Sequence, residues 1–128
     1  MAIWEVKPTE SVGKVRFGSD RKEVREILGN SYQEFKKSRF SKNTTDDYGD
    51  FHVFYDVDNK CEAIEIFENI ELKIDKMTIF PGTMSIIELI GGFDYDGYCY
   101  INKEKSIGLS CHEEKIDSIL LGKKNYYN

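Results

Sequence analysis

Apolar and polar residues alternate in short runs along this chain, and glycine, aspartate and asparagine punctuate them. The clearest pair of runs, Phe51 to Tyr55 and Ala63 to Phe67, flanks Asp56-Val57-Asp58-Asn59-Lys60. Asp and Asn favour turns by hydrogen-bonding their own backbone, so the pattern predicts a β-hairpin. Val12 to Phe17 (VGKVRF) alternates as a strand does and stops at Gly18-Ser19. The period then becomes helical. Ser19 suits an N-cap, Asp20 and Glu23 fall in the positive first turn, Val24, Ile27 and Leu28 form a stripe, and Gly29 suits the C′ position. A helix over Asp20 to Leu28 is expected. Tyr32 to Phe40 reads as an extended segment, and Ile70 to Ile79 as another strand. Phe80-Pro81-Gly82-Thr83 then leads into a second helix, Thr83 to Ile90, closed by Gly91-Gly92. Tyr95 to Ile101, Ser106 to Ser110 and Ile116 to Leu121 follow as strands.

The order strand, glycine, capped helix, glycine, meander thus occurs twice, over about 12–68 and 70–122. Offsets fall from 64 at Gly18 and Gly82, through 62 at Gly29 and Gly91, to 55 between Lys60 and Lys115, as loop deletion would produce. The expected fold is α+β: one domain over 1–128, an antiparallel sheet with two helices on one face, built from a duplicated strand-helix-meander unit. Its expected core holds Val24, Ile27, Leu28, Ile64, Ile66, Ile87, Ile90, Ile119 and Leu121, and the free sheet face is a platform for a partner.

Charge changes this picture in one place. From Asp46 to Glu71 nine carboxylates stand against Lys60 alone, a net of −8 in a chain of net −5. Residues 14–42 carry about +5, but a pI of about 5.1 argues against a nucleic-acid face. With 128 residues, 40% of them hydrophobic, the chain can bury a core. It has neither a leader pattern nor an apolar run of membrane-spanning length, so a cytoplasmic location without a membrane partner is expected. Cys61, Cys99 and Cys111 are odd in number and lack CxxC spacing, which favours reduced thiols.

Candidate chemistry is sparse. His52 and His112 are the only histidines, and no spacing with Cys99 or Cys111 makes a recognised metal set. Asp46-Asp47 and Asp94 with Asp96 offer paired carboxylates, whose flanking Gly and Tyr also suit plain loops. No phosphate-binding glycine motif is present. No catalytic residue, metal or cofactor is therefore assigned. The alternative is a small-ligand binder or enzyme whose pocket is lined by His52, Tyr55 and the Tyr95 to Tyr100 cluster, or a regulatory interaction module.

The acidic stretch is either a solvated face or a surface for a basic partner, with tyrosine anchors and carboxylate steering. In the second case the contact residues are Asp46, Asp47, Tyr48, Asp50, Asp56, Asp58, Glu62 and Glu65, joined by Asp94, Tyr95, Asp96 and Tyr98. Asp46, Asp47 and Asp50 are expected in an exposed loop, with Tyr48 as an anchor among them.

GSDRKEVREILG, SKNTTDDYGDFHVFYDVDNKCEAIEIF and IGLSCHEEKIDSILLGKKNYY resemble the immunity proteins of polymorphic and contact-dependent growth-inhibition toxin systems, the likeness spanning about Gly13 to Tyr127. The resemblance implies a cytoplasmic bacterial protein without catalytic residues that masks a sibling toxin domain, often a basic nuclease. The duplicated unit is also similar in outline to the tandem repeats of β-lactamase inhibitory proteins.

Overall fold

The computed structural model describes residues 2–128 and contains two β-sheets sharing one apolar core. The strands in chain order are β1 (Ala2–Lys7), β2 (Ser11–Val12), β3 (Val15–Arg16), β4 (Gln33–Phe35), β5 (Thr45–Asp47), β6 (Phe51–Tyr55), β7 (Cys61–Ile66), β8 (Ile70–Ile74), β9 (Met77–Phe80), β10 (Asp94–Tyr95), β11 (Cys99–Asn102), β12 (Ile107–His112) and β13 (Lys115–Gly122). Helix α1 (Arg21–Leu28) follows β3, and α2 (Ser85–Ile90) follows β9. The larger sheet runs β10-β11-β12-β13-β7-β6-β5-β4 and the smaller β3-β2-β1-β8-β9. All described strand pairs are antiparallel except β1 with β8.

Register explains which side chains go inside. Phe51 pairs with Ile66, Ile66 with Ile119 and Ile119 with Leu109; beside this row run Val53, Ile64, Leu121 and Ile107. Successive side chains in a strand point to opposite faces, so the two rows share one face. All eight are buried there, together with Val6, Val12, Leu72 and Ile79 of the smaller sheet. The hairpin around Asp56 forms as expected: Asp56 Oδ1 accepts from the backbone N–H groups of Asp58 and Lys60.

Several expectations need correction. Val12 to Phe17 is not one strand but the β2–β3 hairpin, because Gly13 turns with φ +59° and lies against the Trp4 ring. Ile70 to Ile79 likewise folds back at Asp75 and Lys76, and Tyr95 to Ile101 at Asp96 to Tyr98. Strand β1 was not anticipated; it makes a second sheet possible by joining β2 to β8. With two sheets covering each other, the helices contribute little core. Val24 and Ile86 are buried, whereas Leu28, Ile87 and Ile90 are half-buried and Ile27 is 45% exposed. Asp20 rather than Ser19 is the N-cap of α1, and α2 begins at Ser85 rather than Thr83. Among the described residues no helix is long and apolar enough to cross a membrane.

Candidate functional site

The acidic stretch is held by the fold more than it is offered to solvent. Strand β5 pairs Asp46 with Val53, which puts its carboxylate on the core-facing side, fully buried. Helix α1 supplies the compensation. Arg25 donates from Nε to Asp46 Oδ2 at 2.9 Å and from Nη2 to Oδ1 at 2.7 Å; Arg21 Nη1 adds a contact of 3.2 Å to Oδ1 and Tyr55 Oη one of 3.2 Å to Oδ2. A carboxylate with four donors and two cations is internally neutralised. The hydrogen bond to Asp46 holds the Arg25 guanidinium protonated far above the physiological range. Asp46 therefore cannot face a partner, contrary to its expected place in an exposed loop.

Tyr48 is not a free anchor either. Its ring stacks on Phe51 at 4.8 Å between centroids and its Oη donates to Gly29 O at 3.0 Å, bracing the end of α1. Burial pushes its phenol up to about 12. Asp50 accepts from the Asn69 side chain, Asp56 holds its turn, and Glu65 accepts from Ser118 Oγ. Asp47 lies on the outer sheet face 3.3 Å from His52, whose ring packs against Phe35 and Phe67. Of the hairpin residues, Glu62 is half-buried and Asp58 is exposed.

The second group behaves differently. Asp94, Tyr95, Asp96 and Tyr98 form an exposed turn at the far edge of the larger sheet, with Tyr95 61% and Tyr98 88% accessible. Asp96 Oδ1 accepts from Tyr98 N at 2.8 Å and Cys99 N at 2.7 Å, and Tyr95 Oη donates to Gly97 O at 3.0 Å. Those backbone donors hold the Asp96 carboxyl below the usual carboxylate range. A rigid turn thus carries two protruding phenols. Tyr95 also packs on Tyr100, centroids 4.8 Å apart.

Beside it the β12–β13 turn presents Glu113 and Glu114, at φ +48° and +66°, a conformation that glycine or asparagine usually takes in a two-residue hairpin. Met84, the tyrosines Tyr95, Tyr98 and Tyr100, and the run from Cys111 through His112 to Glu114 line a cleft of about 170 Å³. Among the described residues, Asp94, Asp96 and Glu114 form no ion pair. The sequence singled out the Asp94–Tyr98 turn but not Glu113 and Glu114. The 55-residue offset, which sets them on Asp58 and Asn59 of the first hairpin, was the available signal.

The alternative pocket does not assemble. His52 lies on the outer face of β6, Tyr55 is buried with its Oη on Asp46, and β11 is four strand spacings from β6 in sheet order, roughly 19 Å. The thiols are not activated: burial raises Cys61 to about 12 and lifts Cys99 and Cys111 above their ordinary value. No three His, Cys, Asp or Glu side chains converge on a metal position among the described residues. A second concavity, about 540 Å³, lies between Trp4, Ile27, Leu28 and Phe51. Comparisons with family models, curated proteins and solved structures found no match to this chain.

Proposed function

We propose that the chain is a binding protein that neutralises a basic protein domain, in the manner of a cytoplasmic immunity protein masking its sibling toxin. The observation that carries this reading is the division of the carboxylates. Asp46 is satisfied inside the fold, whereas Asp94, Asp96 and Glu114 are unpaired beside two exposed tyrosines on a fixed turn. Rigid aromatic side chains lose little conformational entropy on binding, and unpaired surface carboxylates speed encounter with a basic partner. The sequence resemblance to immunity proteins supplies the class of partner.

We further read the chain as two copies of one unit, hairpin, helix and four-stranded meander, whose last strands β7 and β13 pair at the middle of the larger sheet. Two features support this. Each helix start docks on the turn of its own last hairpin, Arg21 N donating to Asn59 O and Met84 N to Glu114 O. Each last hairpin also carries a bulge, at Phe54/Tyr55 and at Ser110/Cys111.

The test is co-expression with the C-terminal domain of a large secreted protein encoded immediately upstream. Co-purification and survival of the host support the reading. Loss of host viability with no complex would refute it.

A further inference from the structure

We infer that the cleft beside Glu114 is a subsite for one arginine side chain of the basic partner, an inference that rests on the partner-binding reading above. The first half of the molecule contains the pattern in filled form. Arg21 begins α1, its backbone N–H bonds Asn59 O, its guanidinium lies 4.0 Å over the Tyr55 ring, and its Nε donates to Asn59 Oδ1 at 2.8 Å. A turn residue, an aromatic face, Thr44 (Oγ1 at 3.0 Å and backbone O at 2.8 Å) and the buried Asp46 carboxylate thus hold a guanidinium that arrives from the start of the helix.

In the second half the same backbone bond joins Met84 to Glu114. Glu114 has the left-handed conformation of Asn59, φ +66° against +64°. Methionine carries no cation, so the space that a guanidinium would take is the open cleft; Cys111 stands in the place of Tyr55, the aromatic walls come instead from Tyr95, Tyr98 and Tyr100, and Glu114 and Glu113, the latter 3.7 Å from His112, form the rim. Its volume of about 170 Å³ is below the roughly 300–1,000 Å³ of small-molecule sites and suits a single long side chain.

Arginine fits better than lysine. A planar guanidinium stacks on tyrosine faces while donating to carboxylates in its own plane; a compact ammonium retains its water more strongly and has no face to stack. The Asp96 hydrogen bonds fix the walls before binding, so little ordering is needed on capture.

The test titrates the full chain with hexa-arginine and, separately, hexa-lysine at matched ionic strength, following amide and tyrosine-ring NMR signals. Saturable shifts confined to Tyr95, Tyr98, Tyr100, Glu113 and Glu114 are expected, with hexa-arginine about five- to tenfold tighter. Tyr98→Phe should retain binding and Tyr98→Ala weaken it about tenfold. Met84→Arg is the decisive variant: it supplies the missing guanidinium internally, so the protein stays folded and binding falls at least about tenfold, while Met84→Leu changes little. Equal affinity for both peptides, shifts spread over Asp58 and Glu68, or full binding by Met84→Arg overturns the subsite. If the basic domain still binds Met84→Arg with wild-type affinity, the subsite fails and the partner-binding reading stands. If the peptide is captured as described but no basic domain binds, that reading fails and the subsite stands.

Discussion

Arg25 grips Asp46 through two hydrogen bonds of 2.9 and 2.7 Å, tying α1 to a carboxylate buried on the core side of β5. The pair fixes the helix and removes the most deeply placed charge of the acidic stretch from the surface. Removing Asp46 leaves the nearly buried Arg21 and the half-buried Arg25 with only the half-exposed Glu34 as counter-charge, at 3.6 and 3.5 Å, and costs about 3 kcal/mol, the low end for a buried pair. Asp46→Ala should therefore lose stability on that scale in denaturant unfolding. A loss below about 1 kcal/mol would show that the network contributes little.

The C-terminal residues cover the outer face of the larger sheet because two glycines make room for them. A Cβ on Gly122 would stand 2.7 Å from the Tyr126 ring, and one on Gly108 would collide with the Tyr127 hydroxyl. Gly122→Ala should destabilise the fold by about 1–3 kcal/mol through overpacking. Adding Tyr126→Ala should then cost less than it does alone, a coupling that a double-mutant cycle measures. Additive losses would place the strain elsewhere.

Several tyrosines make the fold sensitive to alkali. Burial raises the phenols of Tyr48 and Tyr126 from the ordinary 10.0 to about 12, and that of Tyr55 further still. Folding then favours the protonated form, so the contribution is complete below pH 10 and shrinks as the unfolded chain ionises first. Denaturant midpoints should hold at about pH 9 and fall between about pH 10 and 12. Tyr48→Phe should flatten part of that decline; an unchanged slope would assign it to other groups.

Local patterns in the sequence were enough for the central hairpin and its core. Asp56 and Asn59 mark the turn, and alternation brings Ile64, Ile66, Ile119 and Leu121 inside. Long-range pairing was not readable in this way. Asp46 sits in a run of Asn, Thr and Asp that reads as loop, and its arginines lie 21 and 25 residues upstream on what looks like a solvated helix face. The second sheet depends on β1 meeting β8 in parallel across more than sixty residues of intervening chain, which no local period encodes. The sequence marks Asp94, Tyr95, Asp96 and Tyr98 as contact residues, but the apolar alternation of Tyr95 to Ile101 hides the turn between β10 and β11. Its neighbours Glu113 and Glu114 carry no such mark in the sequence, because a charged turn is ordinarily only a turn.

In the proposed complex, the end formed by Asp94–Tyr98 and Glu113–Glu114, not the Asp46–Glu71 hairpin, meets the basic partner. Stopped-flow association of the upstream-encoded domain with two charge-reversed variants separates the two surfaces. One carries Asp94→Lys, Glu113→Lys and Glu114→Lys; the other carries Asp47→Lys, Asp58→Lys and Glu68→Lys. All six positions are half-buried or exposed, so both variants should fold. The first variant should associate at least about tenfold more slowly at low salt, with the difference shrinking as ionic strength rises, while the second stays within about threefold of wild type. The reverse order, or equal slowing by both, would place the interface elsewhere.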